Sequence, residues 1–485
     1  MIHSTHNNNE ENIVILGGGI PGIFSSLYLS KLYPNSKIHL IESSGQLGGL
    51  YNSFNDNEGG VFDKGMHIIY ETCIEEIDKI IRECLSPNQW LFLEGNFKDV
   101  AGVFHNNFLE TKSPYMNINS ISRNKLNKCL SEFFKSLEHQ APSFKDCRNV
   151  FEFFEKRFGS SITKELIEPV IKKLWRTPSK KLHPSATRIV LMDRLQMFSE
   201  VASSDLMQSS NLRSRIAYPN QIKLDLKFRN SQRGLYPKKF GMSNLIAGMR
   251  SKLIDSNIII HNKSKIHSID KKDNVISSIK ISKGASVEQI ESIKLFHSTV
   301  SSSQLLPYFF LNIGKSNFDK SLIQKYVFLL LDSPPNMDNL YYFFSFEKGS
   351  KIYRVTNYAA YCPSAKRIHK NTNKETWPIC VELHYKNKSP NERFVQKDAI
   401  KELLKHRIIK SQDQIIFARI ESAGGFPLLT LNNCKILEEK DLLLEKLNIK
   451  NLILAGQTPY KGIFFLHDIL ENIYCLINNF HNKSN

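Results

Sequence analysis

Apolar residues along this chain fall into two alternating kinds of run, short β-branched stretches and longer segments of helical length. The first run is Ile13-Val14-Ile15-Leu16. After a glycine-rich turn comes an apolar segment over 23–32, and then a second short run, Ile38-His39-Leu40-Ile41. Short runs without polar alternation predict strands buried on both faces, and the strand–helix–strand order predicts a parallel sheet. From about 100 to 235 the pattern becomes mainly helical, with apolar helical segments at 131–137 and 150–158. A helix is expected over 243–253 ahead of a strand at 258–260, and the segments 265–270 and 275–282 predict a small antiparallel layer. A strand-rich block follows over about 325–420. A last strand at 452–455 runs into Gly456 and an apolar helix over 466–476.

The turn after the first strand reads Gly17-Gly18-Gly19-Ile20-Pro21-Gly22, and the second strand ends in Glu42, twenty residues beyond Gly22. Strand, G-x-G-x-x-G turn, helix, strand and terminal acid in this register form a dinucleotide-binding fingerprint. Gly17 permits the tight turn, Gly19 lets the backbone approach a pyrophosphate, and Gly22 lets the helix pack on the strand. The helix N-terminus supplies amides and a dipole for the phosphates. Glu42 is expected on the ribose hydroxyls, where its charge disfavours a 2′-phosphate.

At 485 residues the chain exceeds the size at which one core stops growing. The return of the parallel pattern after each insertion predicts an α/β protein, a Rossmann-type parallel-sheet domain interleaved with an α+β substrate domain. The nucleotide domain is expected at 12–99, 236–325 and 449–485. The substrate domain takes the mainly helical 100–235 and the strand-rich 326–448. No apolar run reaches the roughly 18 residues needed to cross a bilayer. Residues 1–12 are polar without a secretory apolar region, so the expected compartment is the cytoplasm. Eight cysteines without a C-x-x-C pair read as reduced thiols, and no metal site is expected. The formal charge of +18 comes from lysines spread through the chain beside abundant Asn and Ile. It reads either as compositional bias or as an electropositive surface for an anionic or nucleotide-linked substrate. No nucleic-acid module is present, so no specific nucleic-acid partner is expected.

Beyond Glu42 come Gly45-Gln46-Leu47-Gly48-Gly49-Leu50 and Phe62-Asp63-Lys64-Gly65-Met66-His67. With these segments the chain resembles the FAD-dependent amine oxidase-like superfamily. The similarity is to the branch holding protoporphyrinogen oxidases, carotenoid desaturases and UDP-galactopyranose mutases. The resemblance implies that Gly48 and Gly49 pass the flavin pyrophosphate and that Gly65 and His67 lie beside the isoalloxazine. Taken alone, His67 also reads as a satisfied structural histidine. Further likeness comes from Arg157-Phe158-Gly159 through Lys173-Leu174-Trp175-Arg176, and from Tyr236-Pro237 through Gly241-Met242. The pattern Tyr341-Tyr342, Tyr353-Arg354-Val355, Val381-Glu382 looks like the mutase-like branch. Gly456, Gly462 and His467-Asp468 look like the C-terminal FAD motif. Gly456 and Asp468 are thus implied at the cofactor, whose closing helix points its N-terminus at the flavin. The aromatic run 341–344 reads equally as sheet core, and Arg354 as either a partner of Glu382 or a group presented to an anionic substrate.

Departures shape the functional expectation. Arg176 replaces a glycine of the family pattern, and Leu50 stands where amine oxidases carry an arginine. Ile463-Phe464-Phe465 replaces the arginine and tyrosines with which the mutases take a diphosphate, and apolar groups cannot neutralise one. No cysteine of the closing motif is placed to link a flavin, since Cys475 lies far into the last helix. The leading expectation is an FAD-dependent oxidoreductase with non-covalent FAD. It would oxidise a small or medium organic substrate by hydride transfer, with His67 and Arg354 as its catalytic candidates. The alternatives are a non-redox mutase-like enzyme acting on a nucleotide sugar, and an FAD-binding protein without turnover. Peripheral membrane contact stays open, since an apolar entrance need not leave a linear signature.

Overall fold

The computed structural model describes residues 11–55, 60–189, 192–229, 231–310, 316–369, 373–386, 390–426 and 428–484. Most of the polar start read for targeting, residues 1–10, lies outside them.

The fold is mixed α/β, built on a Rossmann-like parallel sheet. Strand β1 (Asn12–Leu16) is followed by helix α1 (Ile20–Leu32) and strand β2 (Lys37–Glu42). The sheet is completed by strands Ile259–Asn262, Ile293–Ser298 and Leu452–Leu454. Numbered by their order in the chain, the five strands lie side by side as 3-2-1-4-5. Every pairing is parallel. Ile13, Val14 and Ile15 are fully buried, as a strand covered on both faces requires. Each such side chain contributes about 1.5–3 kcal/mol by leaving water. The order reverses between β1 and Ile293–Ser298, so the crevice at the carboxyl ends of these two strands is the place where this topology receives a ligand.

A second, larger sheet runs in the spatial order 415–426, 322–331, 375–385, 352–357, 342–345, 101–105, 108–110, with a short strand, Arg367–Ile368, on the edge of 375–385. Its pairings are antiparallel except for that of Tyr342–Ser345 with Ala101–His105. Here the structure departs from the expected pattern, because the stretch from 100 onward opens with two strands before its helices begin. Ala101–His105 is only five residues long and finds its partner some 240 residues later, a pairing that a local reading of periodicity cannot see. The antiparallel layer over 265–291 has three strands, Ser286–Glu291 joining the two expected ones. A three-stranded ribbon joins Ile69–Tyr70, Gly234–Pro237 and Trp90–Leu93. The closing helix runs Leu466–Ser484 and packs on α1. Among the described residues no helix is long and apolar enough to cross a membrane.

Candidate functional site

The glycine turn sits at the carboxyl end of β1, where the strand order reverses. Gly17 turns with φ +106°, and its amide donates to the Ile41 carbonyl at 2.9 Å. A Cβ on Gly22 would overlap the Gly17 carbonyl oxygen, so this helix can meet this strand only through glycine. A Cβ on Gly19 would meet only Pro21 at 3.5 Å, which leaves that face of the turn open. Gly19 is also the N-cap of α1, with no side chain closing the cap and no acid in the first turn. The Ile20 and Gly22 amides, Pro21 having none, are therefore available to an anion, with the dipole favouring negative charge.

Glu42 accepts the Gly18 amide at 2.8 Å and the Ser44 amide at 2.6 Å. These bonds fix the carboxylate at the lip of the turn, and its remaining lone pairs can take hydroxyls. Across the sheet, Glu42 stands opposite Asn262, whose buried Oδ1 has no partner among the described residues. Nothing in the linear pattern marks Asn262, because only the register of the third parallel strand sets it beside Glu42. Gly48 and Gly49 run alongside the turn, with the Gly48 amide donating to the Gly18 carbonyl at 2.8 Å and Gly19 bridging Gly48. Gly456 packs against the Thr299 backbone, where a Cβ would stand 2.7 Å from its carbonyl oxygen.

Asp63 gathers two of the sequence motifs, 62–67 and 236–242, into one buried knot. It accepts the Ser53 hydroxyl at 2.6 Å, the Tyr236 hydroxyl at 2.5 Å and the Met242 amide at 3.0 Å. Tyr358 donates to its backbone carbonyl. Burial pushes the Asp63 carboxyl up, and these donors oppose the shift. The knot fixes the loop that carries Gly65 and His67.

His67 lies against Tyr51, ring centroids 4.7 Å apart, and its buried Nε2 has no partner among the described residues. Burial, with the Arg354 charge nearby, lowers its pKa to about 4, so the ring is neutral at physiological pH. Arg354 donates through Nε to Glu382 at 2.6 Å, and Gln324 holds the other Glu382 oxygen at 2.8 Å. Of the two readings of Arg354 the first is met, since the pair with Glu382 exists. The second is not removed by it, because the bond uses Nε alone. The guanidinium stands over the Tyr342 ring at 5.7 Å and the Phe344 ring at 6.0 Å. Burial works against its charge, but Glu382 more than offsets this and holds the group protonated. Gly65 is the floor under the pair, where a Cβ would stand 2.7 Å from Glu382 Oε1 and 2.9 Å from an Arg354 terminal nitrogen.

Asp99 joins this wall, accepting the Tyr342 hydroxyl at 3.3 Å. Its side chain is exposed, yet desolvation raises its pKa to about 6. Asp99 lies within electrostatic reach of the Arg354–Tyr342 cluster, and the space these groups border beside His67 is the candidate substrate recess. Tyr70 lies there too, under the Lys98 ammonium at 5.3 Å, and burial keeps the Tyr51, Tyr70 and Tyr342 phenols protonated. No sequence signal pointed to Asp99 or Tyr70.

Asp468 accepts the Phe464 and Phe465 amides at 3.2 and 2.9 Å and is bridged by Arg188 at 2.9 Å. Its carboxylate thus fixes the start of the closing helix. Arg188, from a distant part of the chain, also lies against Gly462, 3.4 Å from where a Cβ would be. A cation from a distant segment thus stands beside the 462–465 turn, paired with Asp468. Among the described residues no cluster of metal ligands occurs.

Residues 15–83 match the NAD(P)-binding Rossmann-like domain family. Bovine (Bos taurus) protoporphyrinogen oxidase is 42% identical over 53 residues, a match covering 11% of this chain and 11% of that relative's length. A reduced UDP-galactopyranose mutase structure superposes with TM-score 0.70 at 17% identity, covering 98% of this chain and 95% of that one. An oxidoreductase from Methanosarcina mazei gives TM-score 0.59 at 10% identity, covering 96% and 100% of the two chains. A putrescine oxidase redesigned in its cofactor binding gives 0.61 at 9%, covering 98% and 99%. The structural likenesses are of fold. The Rossmann-like family match covers residues 15–83 alone.

Proposed function

We propose that the chain is a flavoenzyme that holds FAD without a covalent link and oxidises a small or medium organic substrate. The observation that carries this reading is the continuity of the site. The open turn at Gly19 leads through Gly48, Gly49 and Tyr51 to His67, neutral and with no Nε2 partner among the described residues, at an aromatic recess. FAD, when bound, would supply the acceptor for a hydride leaving the substrate. The α1 amides and the Gly19 face would hold its diphosphate. Glu42 would take ribose hydroxyls, and Asn262 would meet a polar atom of the adenosine end. Tyr51, Tyr70 and Tyr342, kept neutral by burial, would exclude water and fix the orientation of the substrate. Neutral His67 offers Nε2 as donor or acceptor according to its tautomer. Arg354 would attract a negatively charged group on the substrate.

The test is the absorption spectrum of the purified protein before and after denaturation, followed by anaerobic reduction with candidate donors. Flavin bands, release of FAD and acceptor consumption that matches product are expected. A colourless protein that refuses added FAD overturns the proposal.

A second reading, non-redox rearrangement of a nucleotide sugar, is favoured by one arrangement. Arg188 lies on Gly462 and Arg354 faces the recess with its terminal nitrogens outside the Glu382 bond. Isomerisation by pre-reduced protein with no net acceptor consumption would establish it.

A further inference from the structure

The segment Lys173-Leu174-Trp175-Arg176 has no part in the proposed cofactor site, yet it grips the strand that carries Arg354. Lys173, on the helix Glu168–Trp175, is buried, and its ammonium donates to the carbonyls of Ser345 and Ile352. These two residues stand where the hairpin of Tyr342–Ser345 and Ile352–Asn357 opens, just beyond its last matched pair, Phe344 with Arg354. No carboxylate pairs with Lys173 among the described residues, so its charge is directed at the two carbonyls.

The other side of the strand explains why this grip matters. Ile352 stands opposite Leu383 and Arg354 opposite Glu382, so Tyr353 is an extra residue, a bulge, against 375–385. A bulge interrupts the ladder, bends its strand and re-aims a neighbouring side chain. Here it falls immediately before Arg354, and a buried carbonyl that loses its ladder partner needs another donor. Lys173 is that donor. Tyr353 itself stacks on His384, ring centroids 4.4 Å apart. The tip between the two strands is held as well. Glu402 accepts the Ser350 hydroxyl and, at 2.8 Å, the Lys351 amide, and Arg176 donates to the Ser350 carbonyl at 3.2 Å. Arg176 ends its helix with φ +50°, the left-handed conformation that favours glycine, and reaches the tip from that strained position.

We propose that Lys173 is a positioning residue that fixes the mouth of this bulge, and thereby the angle at which Arg354 meets Glu382 and turns its terminal nitrogens to the recess. That role rests on the proposed meeting of Arg354 with a negatively charged group of the substrate, but it can be read on the arginine itself, without flavin or substrate.

The test is the Nε–H resonance of Arg354 in the full-length protein carrying isotopically labelled arginine, identified by its loss in Arg354→Lys. Lys173→Met keeps an unbranched buried side chain and removes the donor. It is expected to shift the Arg354 resonance upfield or broaden it. The resonance of Arg157, whose Nε donates to the Asp193 carbonyl at 2.6 Å, should stay in place. Arg176→Gly removes the bond to the tip and relieves the positive φ, so it should fold and shift the Arg354 resonance in the same direction by less. An Arg354 resonance unmoved in Lys173→Met overturns the proposal, as does a general disturbance in which Arg157 moves as far. Should Lys173→Met not fold, an Arg354 resonance unmoved in Arg176→Gly overturns it. Failure of the wild type to bind FAD, with the resonance shifts as expected, would overturn the flavin reading alone.

Discussion

Arg354 donates through Nε to Glu382 at 2.6 Å directly above Gly65, so one buried ion pair and one glycine together form the floor of the recess. Glu382 is 1% exposed, and its partner is held charged. Removing the carboxylate would leave a guanidinium buried without its counter-charge. Glu382→Ala is expected to cost about 3–5 kcal/mol, read as a drop in the denaturation midpoint. Gly65→Ala meets both partners and a φ of +85°, and should cost about 1–3 kcal/mol. A Glu382→Ala protein as stable as the wild type would show that the pair is not a structural unit.

Gly19 and Gly22 stand three residues apart and should respond in opposite ways. Gly22→Ala drives a Cβ into the Gly17 carbonyl and is expected to cost more than about 3 kcal/mol, enough to prevent recovery of folded protein. Gly19→Ala enters open space at φ −69°, so the protein should fold normally. Its affinity for FAD should nevertheless fall about tenfold, near 1.4 kcal/mol. Isothermal titration of apoprotein with FAD, together with a thermal melt, separates the two. An unchanged affinity in Gly19→Ala would remove the open face of the turn from the cofactor site.

His67→Gln keeps the volume and a polar tip while removing the ring. Because Nε2 has no partner among the described residues, little stability should be lost, whereas turnover should fall about tenfold to a hundredfold. With a pKa near 4 the ring stays neutral from pH 5 to 8. The pH profile of the residual activity in that window should therefore keep its wild-type shape. A profile that loses an inflection near neutrality on substitution would mean that His67 titrates there and is charged in use.

Asp99 gives the pH dependence. Its pKa rises from 3.8 when unfolded to about 6 in the fold, because desolvation by the neighbouring aromatic groups disfavours the carboxylate. Between about pH 4 and 6 the native state therefore binds more protons than the unfolded state, and the contribution of Asp99 to stability falls as pH rises through that window. Asp99→Asn should accordingly raise the stability above pH 6 by about 1 kcal/mol after allowance for its exposure, seen as a higher thermal midpoint, and leave it unchanged at pH 4. Melts of both proteins across pH 4–8 check the sign. A variant less stable at pH 7 than the wild type would show that the Asp99–Tyr342 contact outweighs the desolvation.

The local parts were legible in the chain alone. The β-branched run 13–16, the G-x-G-x-x-G turn and Glu42 specify strand, turn and helix through backbone sterics and burial, which act between neighbours in the chain. The alternation over 265–282 likewise predicted an antiparallel layer. What distant segments make together was set by the packing of the folded chain. Register across a parallel sheet set Asn262 beside Glu42, and the turn at 95–97 carried Asp99 to Tyr342. Arg188 reached Gly462 from nearly 280 residues away. The motifs named Arg354 and Glu382 as partners, but whether the arginine kept nitrogens facing the recess depended on the angle at which two strands and Gly65 meet. Side-chain pairing of this kind arises from long-range packing, where the free energy of a contact depends on groups that no local pattern brings together.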